Sequence, residues 1–303
     1  MGSSSVIDEG VIDRAVKGDK EAFSIIVRGS GARVLLVAER ILRSPEEAIS
    51  AVHSLFVIAF SSLRKLKSKG FLETWLLQLL VGVCGERLKE KGGKAQATVT
   101  NKYPEIGTPN AIDAVAHAVS SVESVSDRLS QIRARGEQVR RAVDGLPFNE
   151  RAAVMFRDWD GVSTIEVAEI LRTSREEVRK LLVNARKTVA DTLEAVEGWG
   201  RYVQNLRSDG IAACEDNSSP AKRKRSNRCG KNSERLWLFV GGELGQTEQM
   251  ALILHLEHCL TCQECLARAS VILEVIREAA PVEGEPPIAP DKLWKEVEPL
   301  LAG

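Results

Sequence analysis

Apolar residues recur every three to four positions along most of the chain, and that helical period, not the two-residue alternation of strands, organises it. Ile7, Val11, Ala15 and Phe23 open the pattern, and Ala22-Phe23 through Leu42 sustains it. Ser44-Pro45-Glu46-Glu47 predicts a helix start: Ser caps, Pro takes the first turn and Glu47 completes a capping box. The helix that follows is expected to turn Ala48, Val52, Leu55, Phe56 and Phe60 inward. After a basic loop, Lys65-Leu66-Lys67-Ser68-Lys69-Gly70, the spacing predicts another helix over Phe71–Lys91 with Trp75, Leu79 and Val83 buried. A polar connector with Gly and Pro follows over Lys91–Asn110, and Ile112, Val115, Val119, Val122 and Leu129 then predict a long helix.

The sharpest pattern lies between Gly145 and Arg186. Gly145-Leu146-Pro147 ends one helix and starts the next, and Asp158-Trp159-Asp160-Gly161 makes a turn. Ser163 or Thr164 then caps a short helix with Ile165, Ala168 and Leu171 on one face. Arg172-Thr173-Ser174 forms a tight corner, and Ser174 with Glu177 is a second capping box. The next helix gathers Val178, Leu182, Ala185 and Val189 on one stripe. That predicts Arg175, Arg179, Lys180, Arg186 and Lys187 free to meet phosphates and base edges, as in a DNA-reading helix-turn-helix. The plainer alternative is a helical hairpin packed only for structure.

Beyond Gly198-Trp199-Gly200 the chain loosens; Ser208–Asn232 reads as a linker whose run Lys222-Arg223-Lys224-Arg225 is a solvated segment or a phosphate contact. Two helices follow, around Gln246–His258 and Thr261–Ala280. Val282–Pro290 is Pro-rich and extended, and Asp291–Leu301 is a short amphipathic piece bearing Leu293, Trp294 and Val297, fit to dock on a groove or close the fold. The expected division is a helical domain over 6–91, a linker and helix over 92–135 and a helix-turn-helix domain over 136–198. A flexible basic linker over 199–232, a small metal-binding domain over 233–280 and a tail over 281–303 complete it.

Composition agrees with an all-α protein: 303 residues suffice for two or three small cores, aromatic content is 5%, and helix formers dominate. We find no secretory segment and no apolar run of membrane-crossing length, so a cytoplasmic protein without a membrane partner is expected, its first five residues a disordered end. The net charge of zero is unevenly spread: from Leu236 onward 11 acidic residues face 4 basic ones, leaving a basic body and an acidic end. Such an end competes with nucleic acid for the body, or simply keeps the terminus soluble.

His255, Cys259 and Cys262 stand at spacing H-x3-C-x2-C. On a helix His255 and Cys259 share a face, with Cys262 at its end, so three ligands converge without long-range folding. A fourth would close a structural zinc (Zn2+) tetrahedron; Cys229 is the first choice, with Cys265 and His258 as substitutes. Metal would stabilise a unit too small for a sufficient core, the alternative being buried, unmetallated thiols. Six cysteines in a cytoplasmic chain favour metal or redox chemistry over disulfides. Cys84, on an apolar face, and Cys214, in a linker, read as bystanders.

Together these residues resemble a bacterial sigma factor of the extracytoplasmic-function group, in the sigma-70 superfamily. Ala22-Phe23 through Lys89 is similar to region two, including Pro45-Glu46-Glu47-Ala48, Phe56 and Trp75-Leu76. Leu146-Pro147 through Ala185-Arg186 is similar to region four, including Asp160-Gly161 and Val167-Ala168-Glu169-Ile170-Leu171. His255, Cys259 and Cys262, preceded by Gly241-Gly242-Glu243-Leu244, resemble the zinc-binding anti-sigma fold. The resemblance implies two helical sigma domains plus a small helical zinc-binding domain, with RNA polymerase core and promoter DNA as partners. By position it implies −35 contacts from Arg179 and Lys180 and −10 contacts from the Lys67/Lys69 loop and the helix after it. It implies polymerase contacts from Ser50, His53 and Phe56. Ser50 and His53 replace a usual Asp and Gln, Gly82 and Glu86 a usual Asn and Asp, and Glu177, Leu181 and Asn184 a usual Thr and two basic residues.

Two functions follow. The first is a sigma factor regulated by an intramolecular contact between its acidic zinc-binding end and its sigma regions. The second is a degenerate sigma-like interaction or DNA-binding regulator that does not initiate transcription, which the replacements favour. An enzyme is not expected: no nucleophile–base pair, phosphate cradle or open metal site emerges.

Overall fold

The computed structural model describes residues 7–66, 69–90, 135–196, 199, 227–281 and 285–302, with only the backbone at 69, 227–231 and 302. All secondary structure among the described residues is helical. The chain forms two compact units: one joins residues 1–96, 165–175 and 282–303, the other 97–164 and 176–281.

In the first unit, α1 (Glu9–Val16), α2 (Lys20–Leu42), α3 (Pro45–Ser62) and α4 (Leu72–Glu90) pack round α2. Each start has a chemical reason. Asp19 accepts from the Ala22 amide at 3.1 Å, and Ser44 accepts from Glu47 at 3.3 Å with Pro45 in the first turn. α2 ends where Arg43 turns left-handed, at φ 58°. Ala48, Ala51, Val52, Leu55, Phe56 and Ala59 are the buried stripe of α3. Pro45–Lys65 is in fact long and apolar enough to cross a membrane by length and composition, contrary to the sequence expectation. Its apolar stripe instead fills this helical core, with Phe56 edge-on to Phe23 at 6.2 Å between ring centroids.

In α4 the buried stripe is Leu72, Leu76, Leu77, Leu80, Val81, Val83 and Cys84; Trp75 and Leu79, expected inside, are only partly buried. Burial pushes the Cys84 thiol up to about 12, consistent with a packing role. The long helix expected over Ile112–Leu129 lies outside the described residues.

The second unit begins with a helix over 135–144, here α5, then α6 (Phe148–Val154), which continues into one π-helical turn, Met155–Trp159. After α7 (Thr164–Ile170), which belongs mostly to the first unit, comes α8 (Arg175–Glu194). Arg172 at φ 52° makes the tight corner between them. α7 buries Val167, Ala168 and Ile170, whereas Ile165, expected inside, is 57% exposed and Leu171 is only partly buried. Among the described residues three further helices belong to the unit: α9 (Asn227–Gly241), α10 (Gln246–Leu256) and α11 (Leu260–Glu278). α9 starts inside the stretch assigned to linker, so Cys229 lies within a helix and not before one. α12 (Pro290–Val297) and a 3-10 turn, Glu298–Ala302, return to the first unit.

Candidate nucleic-acid interface and metal cluster

The recognition stripe of α8 is as expected, with Val178, Leu182, Ala185 and Val189 buried, but it contains one residue more. Arg186 sits four residues after Leu182 and three before Val189, on the same face, and is fully buried. The expectation that it is free for DNA is therefore corrected. Its guanidinium donates from Nε and Nη2 to the two oxygens of Asp158, at 3.0 and 2.7 Å. Nη1 and Nη2 also donate to Glu243, at 3.0 and 3.1 Å, and Nη1 reaches the Trp237 carbonyl at 3.1 Å. Burial alone would lower the Arg186 pKa, but the charge and hydrogen bonds of Asp158 and Glu243 outweigh it and raise it.

Glu243 also accepts from Arg157 Nε at 3.0 Å, so two guanidiniums and two carboxylates close a neutral cluster. The glycines before Glu243 make this possible. Gly242 has φ +75°, and a Cβ on Gly241 would land on Glu243 Oε2 and Arg186 Nη1. The turn bends the carboxylate straight back, and the Gly241 carbonyl accepts from Arg157 at 2.9 Å.

Arg179, one half of the expected −35 contact, is also engaged. Its side chain is 15% exposed, and Nη2 donates to the Glu243 carbonyl at 2.6 Å and to Glu248 Oε2 at 2.9 Å. The Arg179 hydrogen bond holds the Glu248 carboxyl below the usual carboxylate range, aided by the Gly245 amide. Arg175 and Lys180 are exposed and Lys187 is partly buried. Trp159 Nε1 donates to the Ile276 carbonyl at 2.8 Å, and Arg268 pairs with Glu194 at 2.6 Å. The carboxylates facing the α8 arginines thus come from residues 243 and 248, which sequence periodicity gave no reason to connect with that helix.

His255, Cys259 and Cys262 do converge: their ligand atoms lie within 4.8 Å of one another, with His255 Nε2 3.2 Å from Cys262 Sγ. A tetrahedral zinc with two thiolates and an imidazole wants ligand edges of roughly 3.5–3.8 Å, so these residues fit one face of such a centre. His255 closes α10, Cys259 caps α11 and Cys262 sits in the first turn of α11, so the cluster spans a helix corner. Around it the core is small: Leu236, Leu244, Leu252 and Cys262 are buried, with Leu256 and Leu266 packed against them. The Cys229 side chain, expected as fourth ligand, lies outside the described residues; Cys265 and His258 are exposed.

The remaining expected contacts fall differently. Ser50 is exposed, its Oγ and carbonyl accepting from Arg87 at 3.0 and 2.9 Å. His53 is half-buried and faces Glu296 at 3.1 Å. Phe56, expected at the polymerase contact, is fully buried in the core and presents no surface, a correction its place on the Val52–Ala59 stripe explains. Lys67 and the Lys69 side chain lie outside the described residues.

Residues 136–189 match the family model for Sigma-70, region 4. The chain is 22% identical over 188 residues to the RNA polymerase sigma-H factor of Pseudomonas aeruginosa, covering 62% of this chain and 94% of that protein. It is 24% identical over 201 residues to the ECF RNA polymerase sigma-E factors of Escherichia coli and Salmonella typhimurium, covering 63% of this chain and 97% of each. Nearly whole sigma factors are thus similar to about three fifths of this chain, and residues 136–189 match region 4 of that superfamily.

Proposed function

We propose that this chain is a sigma factor that brings RNA polymerase to promoters, and that its helices α9–α11 hold the recognition helix off DNA. One observation carries the reading: Glu248 and the Glu243 carbonyl occupy Arg179, on the helix that region 4 would place in the major groove. These acceptors take the place that a DNA phosphate or base edge would take at Arg179. Release leaves Arg179 with only its exposed neighbour Glu176 and uncovers Arg157, while Asp158 keeps Arg186 paired; Arg175, Lys180 and Lys187 add phosphate contacts. Arg186 then orders the helix from within and Arg179 faces DNA.

In this reading His255, Cys259 and Cys262 hold a zinc ion that, when bound, ties α10 to α11. Cys229 remains the candidate for the fourth position. The 11-residue α10 carries Glu248 in its first turn and His255 in its last, so order at the metal corner is passed along one rigid helix to the contact with Arg179. Partners are RNA polymerase core and promoter DNA, met in the cytoplasm; no chemistry of an enzyme is assigned.

The test is run-off transcription with core polymerase on a promoter library, comparing the full chain with one ending before Asn227. Higher output from the shorter chain supports inhibition; equal or lower output overturns it. A second reading, a sigma-like regulator that does not initiate, is favoured by Ser50 and His53 standing where an Asp and a Gln are usual. A pull-down in which no form of the chain retains core polymerase would leave only that reading.

A further inference from the structure

The solvent side of α10 is apolar. Of the nine large hydrophobic side chains exposed among the described residues, four fall on one short stretch: Met250, Ile253, Leu254 and Leu260, each between 41% and 61% exposed. Such clustering marks a contact surface, whereas single scattered residues would not. Inward, α10 commits Glu248 to Arg179, His255 to the metal corner, and Leu252 and Leu256 to the small core. Outward, Thr247, Met250, Leu254 and the C-cap residue Glu257 follow at steps of three, four and three, the spacing by which two helices interlock. At 3.6 residues per turn, Ile253 and Ala251, both exposed, flank that stripe on opposite sides. Across the whole of α10 the only acidic or basic side chain besides His255 is Glu248, which Arg179 already holds.

We propose that this face is a self-association surface, on which α10 of a second copy of the chain packs antiparallel about a two-fold axis at the level of Leu252. The register is self-complementary, as a two-fold contact requires. Met250 meets Leu254 of the second copy, the bulky Ile253 meets the small Ala251, and Thr247 meets Glu257. Charge agrees with the antiparallel direction. It sets each Glu257 carboxylate beside the N-terminus of the other α10, where the helix amides favour a negative charge; parallel packing would set two carboxylates together. An anionic membrane or a nucleic acid calls for lysines or arginines on the face, and α10 has none. The contact is short, so the dimer belongs to the weak, transient class, with a Kd on the order of 10–100 µM. This pairing makes no use of the sigma-factor reading.

The experiment is sedimentation velocity on the full chain over about 1 to 300 µM, a range that spans that Kd. The wild type should pass from monomer to dimer and form nothing larger, because a two-fold face is used up on pairing. Met250→Lys and Leu254→Glu should each stay monomeric over the same range and keep the helical circular dichroism of the wild type, both side chains being exposed. Mixing the two variants should recover dimer. In the antiparallel register position 250 of one copy faces position 254 of the other, so the introduced charges meet; in a parallel register they do not.

A wild type that stays monomeric at the top of the range, or a dimer that survives both substitutions, overturns the proposal. Loss of dimer in each variant without recovery on mixing overturns the antiparallel register. Species larger than a dimer overturn the two-fold contact. A monomeric wild type that floats with vesicles of neutral phosphatidylcholine, and loses them on Met250→Lys, assigns the face to lipid and overturns self-association.

Discussion

Replacing Glu243 by Gln keeps the shape of a side chain that is wholly buried, and removes the charge that Arg157 and Arg186 share. Three charge-assisted hydrogen bonds of 3.0–3.1 Å converge on its carboxylate. The amide would retain one acceptor and turn an N–H group toward a guanidinium. Breaking a buried ion pair from one side costs about 3–5 kcal/mol. Asp158 still neutralises Arg186 and Arg157 can reach water once the contact opens, so the lower end, about 3 kcal/mol, applies. That is about a hundredfold in the ratio of closed to open chain. A chain open about one part in a hundred would become about half open, and apparent affinity for −35 duplex would rise about fiftyfold.

Fluorescence anisotropy at one fixed salt concentration reads this directly. Gly241→Ala should give the same gain without touching a charge, because its Cβ would land on the Glu243–Arg186 contact. If both variants stay helical and bind DNA no better than the wild type, Glu243 does not stand between α8 and DNA, and the inhibitory reading falls.

Arg186→Ala should lower stability by about 3–5 kcal/mol by leaving Asp158 buried without its partner and Glu243 with Arg157 alone, seen as a large fall in melting temperature. Lys180→Ala should leave melting unchanged and flatten the salt dependence of DNA binding by about one unit of slope. Metal analysis should find zinc in the wild type and little in Cys262→Ser, and chelation should raise DNA affinity by loosening α10; tighter closure on metal removal would refute the link. Because Arg179 depresses the Glu248 pKa, the pair's contribution is full above the ordinary carboxylate value of 4.5 and fades as pH falls through the depressed one. Glu248→Gln should therefore differ from the wild type in stability at pH 7 and converge with it in acid; a difference that persists in acid would refute the pair.

The helices, their caps and most buried stripes were legible in the chain because they depend on neighbours three or four residues away. Ser44 and the Val178–Val189 stripe show this. The same period already contained the two corrections that matter for function. Phe56 follows Val52 by four, and Arg186 follows Leu182 by four and precedes Val189 by three, so both belong to the inner face. Reading Arg186 as a DNA contact ranked residue type above position. An arginine on a buried stripe cannot stand alone, because its desolvation must be offset by carboxylates and carbonyls that satisfy its donors. Asp158, 28 residues back, was within the same motif. The second carboxylate came from 57 residues ahead, and no period points there. What does point there is chemistry: a buried guanidinium with donors to spare, and a Glu placed after two glycines whose backbone lets it reach inward. Likewise Leu293, Trp294 and Val297 announced a docking face, but only Gly31, bare in the middle of α2 beneath Leu293, shows where such a face fits. Local pattern therefore specifies the elements, whereas the long-range contacts follow from which buried charges and which missing side chains need a partner.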